Sequence, residues 1–301
     1  MKTTTPEVCD YTGSTYRVDF WEGKGREYED AVERIALREL LPAEGRRYID
    51  FGAGFGRLIN EAARYDEIVV MDYSATMLQD AKQYLAKQPN AQRFIYVAAD
   101  LYKLPFAANT FDVGMMCRVI HHLADAPAAL KQIHACLTPG STFVLEFANK
   151  RNLKAILRYL LKQQDWNPYD LAPVEFVKLN FDFHPQYIYT ALKEAGFTTI
   201  RQIPISWLRL GLFKRVLPLP LMVGLDRVLQ FVGRMVPASP SIFTQNRIPG
   251  DRPPVVSQDA MFKCPITGAA LHREGDTMVS TVGNPRWAIR DGIYDFKEPI
   301  Q

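Results

Sequence analysis

The segment Ile49-Asp-Phe-Gly-Ala-Gly-Phe-Gly-Arg57 constrains this chain more than any other. Arg47 to Phe51 reads as a strand, and Leu58, Ile59, Ala62 and Ala63 then mark one apolar face of a helix. Glycines at such a junction permit a tight turn and let a ligand approach the backbone. The pattern is D-x-G-x-G-x-G, and its third glycine falls one position early for the dinucleotide fingerprint G-x-G-x-x-G. A glycine turn alone is weak evidence, because many strand–helix turns need glycine for steric reasons. Two acids add weight. Asp72 ends the next strand-like run, Ile68 to Met71, 20 residues after Gly52, where a carboxylate can accept both hydroxyls of a ribose. Asp100 follows the third run, Phe94 to Val97, where it can accept from an adenine amino group while Leu101 packs on the ring.

The alternation continues. Ser74 is an N-cap for a helix with Met77, Leu78, Ala81, Tyr84 and Leu85 at helical spacing. Phe111 to Met116 is a fourth strand. Asp125 and Pro127 open a helix carrying Leu130, Ile133 and Leu137, Pro139-Gly140 stops it, and Thr142 to Glu146 is a fifth strand. Arg26 to Leu41 precedes this core as a helix. After it come helices at 153–161 and 185–195 and strands at 197–205 and 241–247. Such alternation implies right-handed crossovers and a parallel sheet.

On these motifs the chain resembles the class I S-adenosylmethionine-dependent methyltransferases, in the group of small-molecule, ubiquinone-biosynthesis-like enzymes. Asp50 to Gly56 matches the first motif, Met71-Asp72 the ribose-binding acid, and Ala99-Asp100-Leu101 the adenine side. Leu104-Pro-Phe106 with Phe111-Asp112, Val119-Ile-His-His-Leu123 and Leu137-Thr-Pro-Gly-Ser141 match later segments. The resemblance is dense over about 45–150 and loose over about 180–247. It implies an α/β, Rossmann-like, seven-stranded, mostly parallel doubly wound sheet with helical lid insertions and a small C-terminal β-rich module. It implies S-adenosylmethionine as cofactor, with Gly52, Ala53, Gly54 and Gly56 cradling the methionine part and Asp50 holding its amino group. Tyr73, Met77, Cys117 and Arg118 complete the expected pocket, Arg118 as a contact for a carboxylate or as an ion-pair partner.

Methyl transfer from a sulfonium needs alignment and exclusion of water, and a base only where the nucleophile carries a proton of high pKa. His121 and His122 are the base candidates, with pocket structure as the blander role. His184 is a further candidate, although the following Pro185 suits a helix start. The N-terminal aromatics, Tyr16 and Tyr28 above all, could cage a sulfonium by cation–π attraction or simply anchor the first helix.

The remaining readings concern organisation. A methyltransferase domain is expected over 1–247, with lids at 149–183 and 207–236, a linker at 248–256 and a module at 257–301. The net charge is +3, too balanced to suggest nucleic acid, which is not expected as a partner. Residues 150–236 nevertheless hold 13 Lys and Arg against 6 Asp and Glu, so this stretch is +7 and the rest −4. Within it, 207–236 interleaves basic residues with large aliphatics. That composition fits a packed lid, a dimer contact, or contact with a membrane surface or lipophilic substrate. The tail resembles zinc-ribbon-like modules that accompany some methyltransferases, but Cys264 stands alone there, so no metal is expected. The four cysteines form no C-x-x-C pair, and no apolar run suits a secretory signal or a bilayer span, which suggests a cytoplasmic chain. The expected activity is methyl transfer to an unidentified small acceptor, with a lipophilic one among the options. An RNA- or protein-directed methyltransferase and a non-catalytic cofactor-binding scaffold stay open as alternatives.

Overall fold

The computed structural model describes residues 6–10, 13, 21, 23–62 and 64–300. Tyr16 lies outside them. The chain opens with helix α1 (Glu27–Leu40) and strand β1 (Gly45–Phe51). Strand β2 (Tyr65–Asp72), helix α2 (Ala75–Leu85) and strand β3 (Phe94–Ala98) follow. Then come β4 (Phe111–Met116), α3 (Ala126–Cys136) and β5 (Leu137–Ala148). Past β5 lie α4 (Leu153–Leu160), a hairpin of β6 (Val174–Val177) and β7 (Asn180–Asp182), α5 (Pro185–Glu194) and β8 (Thr198–Ile205). Two helices, α6 (Gly211–Val216) and α7 (Leu219–Gly233), precede β9 (Ser241–Arg247). The tail supplies β10 (Leu271–Glu274), β11 (Thr277–Ser280), β12 (Arg286–Arg290) and β13 (Ile293–Asp295).

The expected seven strands are present in the order β3-β2-β1-β4-β5-β9-β8. The first five are parallel, and β9 runs antiparallel between β5 and β8. Alternation along each strand sends side chains to two cores. Ile49, Phe51, Val69 and Met71 meet α3 and α5 through Leu130, Ile133, Ile188 and Leu192. Tyr48, Ile68 and Val70 meet α1, α2 and α7 through Val32, Leu37, Leu78 and Met222. Local signals placed the helices. Ser74 accepts from Met77 N, Asp125 from Ala128 N and Asn152 from Ala155 N, each capping its helix.

Three details differ from the sequence reading. The helix expected after the glycines is only a 3-10 turn, Ile59–Ala62, because β2 begins already at Tyr65. Leu137 opens β5 rather than closing α3. The tail does more than dock. Strand β13 pairs in parallel with β3 through Ile293↔Tyr96, Tyr294↔Val97 and Asp295↔Ala98, so the sheet continues to eleven strands. Met261, Phe262, Leu271, Trp287 and Phe296 belong to the same buried cluster as α3. The connecting residues are bonded too: Gly140 N donates to Ile248 O (2.8 Å) and Val256 N to Asn109 O (3.0 Å).

Candidate functional site

A pocket opens at the carboxyl ends of the central strands, the edge where open α/β sheets bind ligands. Asp50, Gly52, Ala53 and Gly54 form one wall, Asp72, Tyr73 and Met77 a second, and Leu101 sits beyond β3. Cys117, Arg118 and His122 come from the segment after β4. The turn after β1 is pinned by Gly52 N and Ala53 N, which both donate to Met71 O at 2.8 Å. Gly52 has φ +76°, and a Cβ there would lie 2.3 Å from Val119 Cγ2, so no other residue fits without a shift. Gly54 has φ +55° and faces open space, with nothing within 4 Å of a notional Cβ. The turn thus presents bare backbone to the pocket.

The acids are set by that backbone. Asp72 Oδ2 accepts from Gly54 N (2.8 Å) and Oδ1 from Ser74 N (2.8 Å). Each carboxylate oxygen keeps a further lone pair for a ligand hydroxyl. Burial raises the Asp72 pKa, and these backbone donors offset part of the rise. Asp50 is 3% exposed and accepts no hydrogen bond from any described residue. Burial, and then the charge of Asp72, push its pKa up to about 8. A buried carboxyl in this condition is short of a cation or a donor.

The segment after β4 carries the titratable bases. Leu179 O lies 3.0 Å from His122 Nδ1. A carbonyl only accepts, so Nδ1 holds the proton and Nε2 the lone pair. His121 packs against it with ring centroids 4.1 Å apart, and its buried Nδ1 has no partner among the described residues. Burial lowers both imidazoles, and the neighbouring His122 and Arg118 charges lower His121 further. Both are therefore neutral near pH 7. Burial raises the Cys117 thiol well above its usual value, so it is no thiolate.

Arg118 adopts φ +59°, a left-handed backbone that a side-chain-bearing residue holds only where its surroundings enforce it. Here Arg118 N donates to Glu146 Oε2 (2.8 Å) and its Nε to Glu33 Oε1 (2.7 Å). Arg57 Nη2 reaches the other Glu33 oxygen at 2.6 Å. Burial alone would raise the Glu33 carboxyl, but Arg118 and Arg57 outweigh it and hold it low. Arg57 and Arg118 both lie over Trp21, 3.7 and 5.3 Å respectively from the ring centroid. Trp21, Arg57, Glu33 and Glu146 were not singled out in the sequence. Their only local signal was an aromatic cluster before α1.

Five of the residues named from sequence within the described part of the chain do not line the pocket. Gly56 packs its turn against Leu85. Asp100 lies between the pocket residues Ala99 and Leu101, and its Oδ1 accepts from Tyr102 N (2.8 Å). His121 sits behind His122. Tyr28 is buried between α1 and α7, where its hydroxyl donates to Asp226 and accepts from Leu208 N (2.9 Å). These bonds make it a strut between the helices, away from the pocket lining. His184 caps α5, its Nδ1 accepting from Gln186 N (3.1 Å), which is the structural role that Pro185 foreshadowed. Asp182, at the end of β7, is a half-buried carboxyl raised to about 6 by desolvation and was also missed. Among the described residues no three His, Cys, Asp or Glu side chains gather as a metal site, and Cys264 Sγ accepts from Thr267 N (3.4 Å).

Strand order, glycine turn and the acids at successive strand ends together define the Rossmann-like fold of the class I methyltransferases. Comparison with known proteins agrees. Residues 49–145 match the family model described as a methyltransferase domain. The chain is 27% identical to the 2-phytyl-1,4-naphtoquinone methyltransferase of Nostoc punctiforme, over 40% of this chain and 54% of that protein. It is 25% identical to the ubiquinone/menaquinone biosynthesis C-methyltransferase of Haemophilus ducreyi, over 52% of this chain and 63% of that one. The matches thus span little more than half of these curated relatives. Among solved structures, the complex of the Haloferax volcanii Trm112 methyltransferase activator with its putative methyltransferase shares the fold. It has a TM-score of 0.52 and 17% identity, over 76% of this chain and 95% of that one.

Proposed function

We propose that the chain binds S-adenosylmethionine in this pocket and transfers its methyl group to a small, largely apolar acceptor. The observation that carries the reading is Asp50. Its buried carboxyl accepts no hydrogen bond among the described residues, and the charge of Arg57 only partly offsets burial and Asp72, so the ammonium of an amino-acid ligand would match it. The Gly52–Gly54 backbone lies beside it, and Asp72 offers lone pairs to a ribose. Leu101, which lines the pocket, would pack on the adenine ring, and Asp100, just outside the lining, would accept from its amino group only through the oxygen that Tyr102 N leaves open. Bound there, the cofactor would supply an electrophilic methyl on a sulfonium. The protein's part is to orient the acceptor, exclude water and, where the acceptor carries a proton, take it on His122 Nε2. The quinone substrates in the names of the relatives make a quinol-type acceptor the first class to try.

Calorimetric titration with S-adenosylhomocysteine tests the binding step. One-to-one binding is expected, and Asp72→Ala should weaken it by about tenfold or more, since two hydroxyl contacts to a charged group disappear. No binding to folded wild-type protein would sink the reading. With a naphthoquinol acceptor, His122→Gln should lower kcat by about a hundredfold or more. Unchanged turnover would remove His122 from that role. Binding with no accepted substrate in lipid, metabolite, RNA or protein fractions would favour a non-catalytic scaffold.

A further inference from the structure

Helix α7 is folded with its polarity inverted. Its buried positions include Asp226, which accepts from Tyr28 Oη, Trp207 N (2.8 Å) and Gln230 Nε2 (2.9 Å). The exposed side carries Leu221, Leu225, Val228, Val232 and, just past the helix, Met235, which form one stripe at helical spacing, with Phe231 beside it. Phe231 is 72% and Met235 90% exposed. A helix bounded by water on that side places its polar residues there instead.

Helix α4 adds a second face of the same kind. It buries Ala155 and exposes Leu153, Leu157 and Leu160. The two segments are tied together. Leu153 N donates to Ala238 O (2.8 Å), and the Asn149 side chain donates to Pro237 O (3.1 Å) and Ser239 O (2.8 Å). Asn149 directly follows β5, so this junction lies at the strand ends where the pocket opens.

Charge selects the occupant. Residues 150–162 and 207–236 hold ten basic side chains, five in each, and a single acid, the buried Asp226; of the ten, Lys150 is buried, and Arg209, Lys214 and Arg234 pair with Glu29 or Glu39. Lys154, Arg158, Arg215 and Arg227 are exposed and meet no acidic side chain among the described residues. A second copy on this face would set like charges opposite one another. An anionic lipid surface accepts both components, aliphatic side chains at the acyl boundary and Lys and Arg among the headgroups. We propose that α4 together with α6 and α7 forms a surface that docks the chain on an anionic bilayer. No helix among the described residues is long and apolar enough to cross one, so the docked helices lie in its plane. The proposal stands independently of methyl transfer.

The test is co-sedimentation of the full chain with phosphatidylcholine vesicles, with and without phosphatidylglycerol. Wild type is expected to bind the anionic vesicles and to be released by high salt. A double variant, Phe231→Glu with Met235→Glu, should bind at least about tenfold more weakly while keeping its Tm and its titration with S-adenosylhomocysteine. Arg215→Glu with Arg227→Glu should reduce binding to the level seen with neutral vesicles. Leu157→Glu with Leu160→Glu probes the second face and keeps the test decisive if the α7 variant misfolds. Absence of binding by folded wild type at low salt overturns the proposal, as does unaltered binding of the glutamate variants. A wild-type dimer in sedimentation velocity that dissociates on Phe231→Glu also overturns it, because a second copy then fills the face.

Discussion

Asp50 concentrates the conflict between stability and binding on one side chain. Its carboxyl titrates near 8 in the folded protein because burial and Asp72 disfavour its charge. In an unfolded chain the same group titrates at about 3.9. The folded state therefore binds the extra proton between those values. Stability from this group is complete below the lower value, declines as pH rises, and reaches its minimum above about 8. Asp50→Asn removes that liability, so its Tm at pH 8 should exceed that of the wild type by a few degrees, while the two converge near pH 4. Binding has the opposite sign. A ligand ammonium favours the carboxylate, so S-adenosylhomocysteine should release close to one proton at pH 7. Calorimetry in buffers of different ionisation enthalpy reads that proton directly. Its persistence in Asp50→Asn would reject the assignment of the cation contact to Asp50.

Between elements, the interactions that shape the site join residues far apart in sequence. Asp50, Gly52, Asp72 and Leu101 were legible because each sits at a fixed offset from a strand end, and strand ends show in the apolar pattern. The His122 tautomer was not legible, because it depends on Leu179 O in the loop between β6 and β7. Nor was the Glu33 pairing with Arg57 and Arg118, since three separate elements supply it. Tyr28 shows the same limit. Its sequence context fitted a cofactor cage equally well, and only the packing of α7 on α1 turns it toward Asp226. Tyr28→Phe leaves Leu208 N without its acceptor and removes one donor from a buried carboxylate. The expected cost is about 1–3 kcal/mol, seen as a lowered Tm with unchanged affinity for S-adenosylhomocysteine. Lost affinity at unaltered stability would return Tyr28 to the pocket.

At the scale of the whole molecule, composition suggested a catalytic domain, a linker and a small module, yet one sheet joins the domain to the module, and Ile248 and Val256 of the linker pack in the same core. The sequence suggested a β-rich tail but said nothing about which edge its strands join, and the pairing of β13 with β3 spans nearly 200 residues. Phe262 sits at that seam. It is 4% exposed, stacks on Phe106 at 5.9 Å, and packs against Tyr294 and Phe296 at 4.8 and 5.0 Å. Truncating such a side chain costs about 3–5 kcal/mol. A tail that folded alone would absorb that loss alone, melting early and leaving the main transition in place. A tail that shares its core with α3 and its hydrogen bonds with β3 passes the loss to the entire unit. Phe262→Ala should therefore lower a single unfolding midpoint. Hydrogen exchange should show peptides from 286–296 and 94–98 losing protection together, since opening β13 strips β3 of its neighbour. Early exchange confined to the tail, with 94–98 still protected, would mean that the eleven strands are two cooperative units joined at an edge.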